Sequence, residues 1–163
     1  MMRKYCYVAL VALMLTSCGS VETFETIADE PVLAASAEER QIVVTLPEDA
    51  SVMTIQGEAG TIYLCDGYEI SLETLSSGDL DRTIRTVTGY HQENLTVMET
   101  QTDGITRHDL VWCAAGENGD RLGRAAILDD GSYHYALSVM ADAENASSLA
   151  TQWDALFASY GLD

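Results

Sequence analysis

Lysine is nearly absent from this 163-residue chain, and arginine is scarce: together they number 8, against 26 aspartates and glutamates, for a formal net charge of −18. That balance argues against nucleic acid as a partner, because binding it depends on cations that neutralise phosphates. An anionic lipid surface would repel such a chain as well. Also missing is an apolar run of about 20 residues, the length a membrane-spanning helix needs. The usual catalytic signatures are lacking too: there is no Gly-x-Ser-x-Gly elbow, no His-Glu-x-x-His, no phosphate-binding Gly-Lys-Ser/Thr loop and no Asp-x-Asp-x-Asp-Gly calcium loop. No cofactor is therefore expected.

What is present begins at the amino terminus. Arg3 and Lys4 precede an apolar segment from Tyr5 to Leu15, which small residues follow, the three-part layout of a secretory signal. Leu15, Thr16, Ser17 and Cys18 resemble the bacterial lipobox. That resemblance implies removal of residues 1–17 as a signal peptide, acylation of the Cys18 thiol, and a bacterial cell-envelope protein anchored on the extracytoplasmic side of a membrane. Two acyl chains anchor stably where one does not, at about 0.8 kcal/mol per buried methylene. Cleavage would leave six arginines against 26 carboxylates, a net charge of −20.

Residues 18–39, "CGSVETFETIADEPVLAASAEE", show no sustained hydrophobic period and read as a tether. Residues 40–163 suit a single domain with one core. Cys65 and Cys113 remain within it. An oxidising compartment allows a disulfide between them, while two independent buried thiols are the alternative; both stay open at this point.

Four turn dipeptides punctuate the domain: Asp66-Gly67, Asp103-Gly104, Asn118-Gly119 and Asp130-Gly131. Each favours a two-residue type I′ hairpin, because both central positions need positive φ. Centring on the last three gives a four-stranded meander over 95–102, 105–115, 121–129 and 132–140; centring on the first pairs 61–65 with 68–72. Strand alternation then collects Leu95, Val97, Leu110, Trp112, Ala125, Ile127, Ala136 and Met140 on one face. The opposite face collects Val111, Cys113, Ala126, Leu128, Tyr133, Tyr135, Leu137 and Val139. With both faces apolar, helices must cover them. Two helices are readable. "SSGDLDRTIRTVTG" places Leu80, Ile84 and Val87 on one stripe, with capping residues before, an Asp81 to Arg85 pair and Gly89 as a stop. "ENASSLATQWDALFASYG" carries the stripe Ala146, Leu149, Ala150, Trp153, Leu156, Phe157 and Tyr160, with Gly161 after it.

These elements make an α+β chain: an antiparallel β-sheet, built as a four-stranded meander plus an N-terminal hairpin, covered by helices as an α/β sandwich. The order, with "GYEISL", "LDRTIRTVTG", "SYHYALSVMA" and the closing "WDALFASYGL", resembles the PsbP-like and DcrB-like superfamily over about Thr61 to Leu162. The resemblance implies a binding, assembly or accessory role, often in secreted or lipid-anchored proteins, and brings no catalytic motif. Gln41 to Gln56 would add a strand or hairpin.

One constellation follows from the registers. Glu99 falls opposite His108, His108 opposite Asp129, and Asp129 opposite Ser132, with His134 one step away on the same face. A row of opposed charges stabilises a sheet by about 0.2–1 kcal/mol per pair. Two flanking carboxylates should also raise the His108 pKa above about 6.5. The same residues, Glu99, His108, Asp129 and His134, could hold a metal or act as an acid-supported base. Three readings follow. The first is a lipid-anchored binding or accessory protein without catalytic activity, joined to the membrane through Cys18 and serving an unidentified protein or small-ligand partner. The second is a surface metal-dependent enzyme or hydrolase using the Glu99/His108/Asp129 row, and the third a purely structural lipoprotein.

Overall fold

The computed structural model describes residues 38–53, 60–117 and 119–163. The expected signal peptide, Cys18 and almost all of the expected tether lie outside the described residues. Twelve short elements follow in order: β1 (Ile42–Val43), β2 (Ser51–Met53), β3 (Gly60–Cys65), β4 (Tyr68–Ser76), α1 (Leu80–Thr88), a 3-10 turn (Gln92–Asn94), β5 (Val97–Thr102), β6 (Ile105–Gly116), β7 (Gly119–Asp129), β8 (Tyr133–Asp142), α2 (Ala143–Ser159) and β9 (Gly161–Leu162). Seven strands form one antiparallel sheet in the order β2-β3-β4-β8-β7-β6-β5, and β1 pairs with β9 in a second, two-stranded sheet. The fold is an α+β sandwich. Among the described residues no helix is long and apolar enough to cross a membrane.

The hairpin and the meander meet through β4 and β8, the hydrogen-bonded neighbours of this sheet that lie furthest apart in sequence. After β4 the chain crosses the sheet by way of α1, enters at the far edge as β5, and meanders back until β8 docks beside β4. Both faces hold the predicted residues, but Val111 and Cys113 on the second face are exposed and not covered by a helix. Tyr68, Ile70, Leu128, Tyr135, Leu137 and Val139 pack against Trp153, Leu156 and Phe157 of α2. On the other side Leu110, Trp112, Ala125, Ile127 and Ala136 pack against Ile84 of α1, with Leu80 and Val87 beside it. Ala150 departs from the α2 stripe and is exposed.

Two of the registers differ from the expectation. The Asp103-Gly104 turn has both φ positive, 52° and 80°, as a type I′ hairpin requires, and Glu99 stands opposite His108. The Asp66-Gly67 turn keeps the expected register, but only Gly67 has positive φ. Between β6 and β7, however, Gly116 pairs with Gly119, which moves the turn one residue towards the N-terminus and the pairing by two. A side chain at 116 would press on the Gly119 carbonyl at 2.7 Å, so the tight closure uses a glycine there. Between β7 and β8, Asp129 pairs with His134 across a four-residue loop. There the Asp130 carboxylate accepts from the Ser132 and Tyr133 amides, each at 2.8 Å, so Ser132 is held in the loop and withdrawn from the ladder. A shift of two preserves which face each side chain occupies while changing its neighbours.

Two further corrections concern ends. Gly161 does not cap α2 in the left-handed region; it pairs with Val43 as part of β9. The segment Gln41 to Gln56 gives two separate strands, β1 and β2, which belong to different sheets. Residues 54–56 of that segment lie outside the described residues.

Candidate functional site

The two buried histidines lie on the face that α1 covers, on β6 and β8 with β7 between them and two residues apart in register. His134 on β8 is 2 % exposed, and His108 on β6 is 5 % exposed. α1 supplies the buried Thr83, whose Oγ1 lies 2.7 Å from His134 Nδ1. With the Thr83 hydroxyl donating to Nδ1, the ring proton falls on Nε2, which faces Asp129 Oδ2 at 3.5 Å. Asp129 Oδ1 is engaged separately, accepting from the Gly131 amide at 2.8 Å.

His108 is placed differently. Its strand partners are Glu99 and Ile127, not Asp129, so the expected four-residue row does not form. The row resolves into two pairs: Glu99 with His108, and Asp129 with His134. Glu99 Oε2 stands 3.7 Å from His108 Nδ1, beyond hydrogen-bond reach, and Nδ1 has no hydrogen-bond partner. Burial pushes the imidazole below its ordinary pKa and outweighs the upward pull of Glu99 and Asp129, with His134 adding to the downward push. The expected rise is therefore overturned: desolvation penalises the charged ring more than two carboxylates, one of them largely in water, stabilise it.

Chemically, the His134–Thr83 contact ties α1 to the sheet. Among the described residues no three His, Cys, Asp or Glu side chains converge on a point that could hold a metal ion. Among the described residues, clefts of about 620, 490, 180 and 290 Å³ mark the surface, and neither buried histidine lines any of these four. The largest is an open groove beside Asp81, His91 and Leu95. Asp81 does not pair with Arg85 there. Its carboxylate accepts from the Gln92 amide at 2.6 Å and from His91 Nδ1 at 2.9 Å, tying α1 to the 3-10 turn. The Gln92 amide, then His91, holds the Asp81 carboxyl below its usual range.

Cys65 and Cys113 are free thiols. They share one ladder row, Cys65–Tyr68–Ala141–Leu122–Cys113. Four strand spacings of about 4.8 Å put them on the order of 19 Å apart, against a limit of about 7 Å for a bridge. The disulfide alternative is thus closed, and the alternative of two buried thiols is corrected as well, since Cys113 is exposed. Burial outweighs the opposing hydrogen bond from the Tyr68 hydroxyl and pushes the Cys65 thiol up.

Several contacts that organise this architecture have no motif in the sequence. The Tyr135 hydroxyl accepts from the Arg40 amide at 2.8 Å and donates to Asp130 Oδ2 at 3.0 Å, joining the start of the domain to the β7–β8 loop. Arg107 grips Asp109 with two nitrogens, at 2.8 and 3.0 Å. Thr83 was visible only as a polar residue next to the predicted apolar stripe.

No known protein-family model matches the chain, and no curated protein matches it by sequence. Solved structures do. Cyanobacterial PsbP (CyanoP) from Synechocystis sp. PCC 6803 superimposes with a TM-score of 0.56 at 13% identity, over 90% of this chain and 98% of CyanoP. The fold is PsbP-like. LpqN of Mycobacterium tuberculosis, described as involved in cell envelope biogenesis, gives a TM-score of 0.48 at 12% identity over 76% of this chain and 84% of LpqN. The Saccharomyces cerevisiae Ran-binding protein Mog1p gives 0.47 at 10% identity over 76% of this chain and 95% of Mog1p.

Proposed function

We propose that this chain is a lipid-anchored, extracytoplasmic binding or accessory protein of the bacterial envelope, without catalytic activity of its own. The observation that carries the non-catalytic part is the use made of the two buried imidazoles. His134 is tied to Thr83 and faces Asp129, and His108 is buried in the sheet and lines none of those four clefts. A general base needs a substrate proton within hydrogen-bond reach, which this placement does not offer. The anchoring part rests on the resemblance of Leu15, Thr16, Ser17 and Cys18 to a lipobox, and the accessory role accords with the PsbP-like fold and the acidic composition.

Two measurements test the proposal. Protein made in its own cell should partition into the detergent phase, and Cys18→Ala should release it or leave it unprocessed; soluble, unmodified wild-type protein would contradict anchoring. A pull-down from detergent-solubilised membranes should recover a reproducible protein or small-molecule partner. Recovery of none would count against the binding role.

A further inference from the structure

We propose that the outer edge of β5 is a docking strand for an extended, cationic segment of a partner protein, which pairs with it as the next strand of the sheet. β5 is one of the two edges of the seven-stranded sheet, and every residue from Met98 to Thr102 is exposed. The type I′ turn at Asp103-Gly104 closes on a hydrogen-bonded Thr102–Ile105 pair. Alternation then turns the amides of Met98, Thr100 and Thr102 towards β6, and those of Val97, Glu99 and Gln101 away from the sheet. An edge with outward amides and carbonyls is a template for another strand. Proteins usually guard it with lysine, proline or a bulge, and β5, which pairs with β6 without interruption, carries none of these. Among the described residues the opposite edge, β2, has three residues.

The side chains specify the occupant. On one face Met98 is 64 % exposed, and Val111 beside it on β6 is 53 % exposed, where α2 leaves the sheet uncovered. On the other face the Glu99 side chain is 67 % exposed and meets only the buried His108. Asp103 adds a second carboxylate at the turn. The nearby arginine, Arg107, is already committed to Asp109 and the Phe157 carbonyl. A second copy of the chain would bring Glu99 and Asp103 against their own kind, and like charges across a strand pair are destabilising. A segment that alternates apolar residues with lysine or arginine meets both faces at once: main-chain bonds supply affinity and alternate side chains supply specificity. The inference rests on the binding reading above and names its partner class.

The test uses the full chain, labelled for NMR, and a capped peptide of alternating lysine and valine about eight residues long, a common strand length. A peptide of alternating glutamate and valine is the control. The lysine peptide should slow hydrogen exchange at Val97, Glu99 and Gln101 while leaving Met98 and Thr100 as they are, and the glutamate peptide should do neither. Glu99→Lys should weaken binding about tenfold, since it turns an attraction into a repulsion. Gln101→Pro deletes an outward amide without touching the β5–β6 ladder and should abolish the protection. The proposal is overturned if the lysine peptide leaves those amides unprotected, if both peptides bind alike, or if Glu99→Lys changes nothing. Protection that grows with protein concentration in the absence of peptide would make a second copy the occupant and overturn it equally. A partner that Gln101→Pro still captures from membranes would refute the β5 site and leave the accessory role standing; a wild-type chain that captures nothing would remove that role itself.

Discussion

His108 sits beside a carboxylate yet holds its proton less tightly than a free imidazole, because the ring is buried while much of its negative surroundings lies in water. The consequence for stability has a definite sign. A histidine whose folded pKa is depressed takes up its proton more readily in the unfolded chain, so its contribution is present above about 6.5 and is lost as pH falls through the folded value. The melting temperature should therefore decline below about pH 6.5, and His108→Leu should flatten that part of the profile. NMR titration of the imidazole checks the cause; a His108 pKa above the free value would refute it. Gly123 is a second residue whose role depends on its neighbour across the strand. The Trp112 ring lies over it, so a β-carbon at 123 would collide with Trp112 Cζ2 and Cε2. Gly123→Ala should cost about 1–3 kcal/mol by overpacking, measured by denaturant unfolding.

The helices differ in how they are held. α1 is a nine-residue segment with one fully buried apolar anchor, Ile84, so its polar contacts carry unusual weight. Thr83→Val would leave His134 Nδ1 buried without a partner, and such a group costs about 1–3 kcal/mol. Unfolding of the variant should show that loss, with enhanced amide exchange confined to α1 and the 3-10 turn. α2 depends instead on apolar area. Trp153, 4 % exposed, tilts against Tyr68 with ring centroids 6.3 Å apart, and Arg124 stacks over Phe157 at 4.3 Å while reaching Asp154 at 2.7 Å. Trp153→Ala should cost about 3–5 kcal/mol, a large part of a small domain's total of about 5–15 kcal/mol. A melting temperature lowered by only a degree or two would show that α2 contributes little to the core.

At the scale of the whole molecule, the sheet decides which distant residues meet. It keeps Cys65 and Cys113 four strands apart, so the native chain should migrate identically on gels with and without reductant. Alkylation without denaturant should modify the exposed Cys113 first, the half-buried Cys65 lagging behind it. Equal rates, or a bond between the two, would contradict the strand order. The apolar alternation of β6, β7 and β8 and the stripes of α1 and α2 were legible in the sequence, because burial imposes periods of 2 and 3.6 that survive local error. Even two wrong registers left both faces correctly assigned, since each was wrong by two residues. What alternation determines is the face; the partner across the strand depends on loop closure, set here by Gly116 at one turn and by the Asp130 carboxylate at another. For that reason His108 lost Asp129 as its partner, and His134 gained it. The docking of β8 against β4, the gap between the cysteines and the depressed His108 pKa were decided by tertiary structure alone, because strand order and desolvation are set by segments remote in the chain and leave no local period to read.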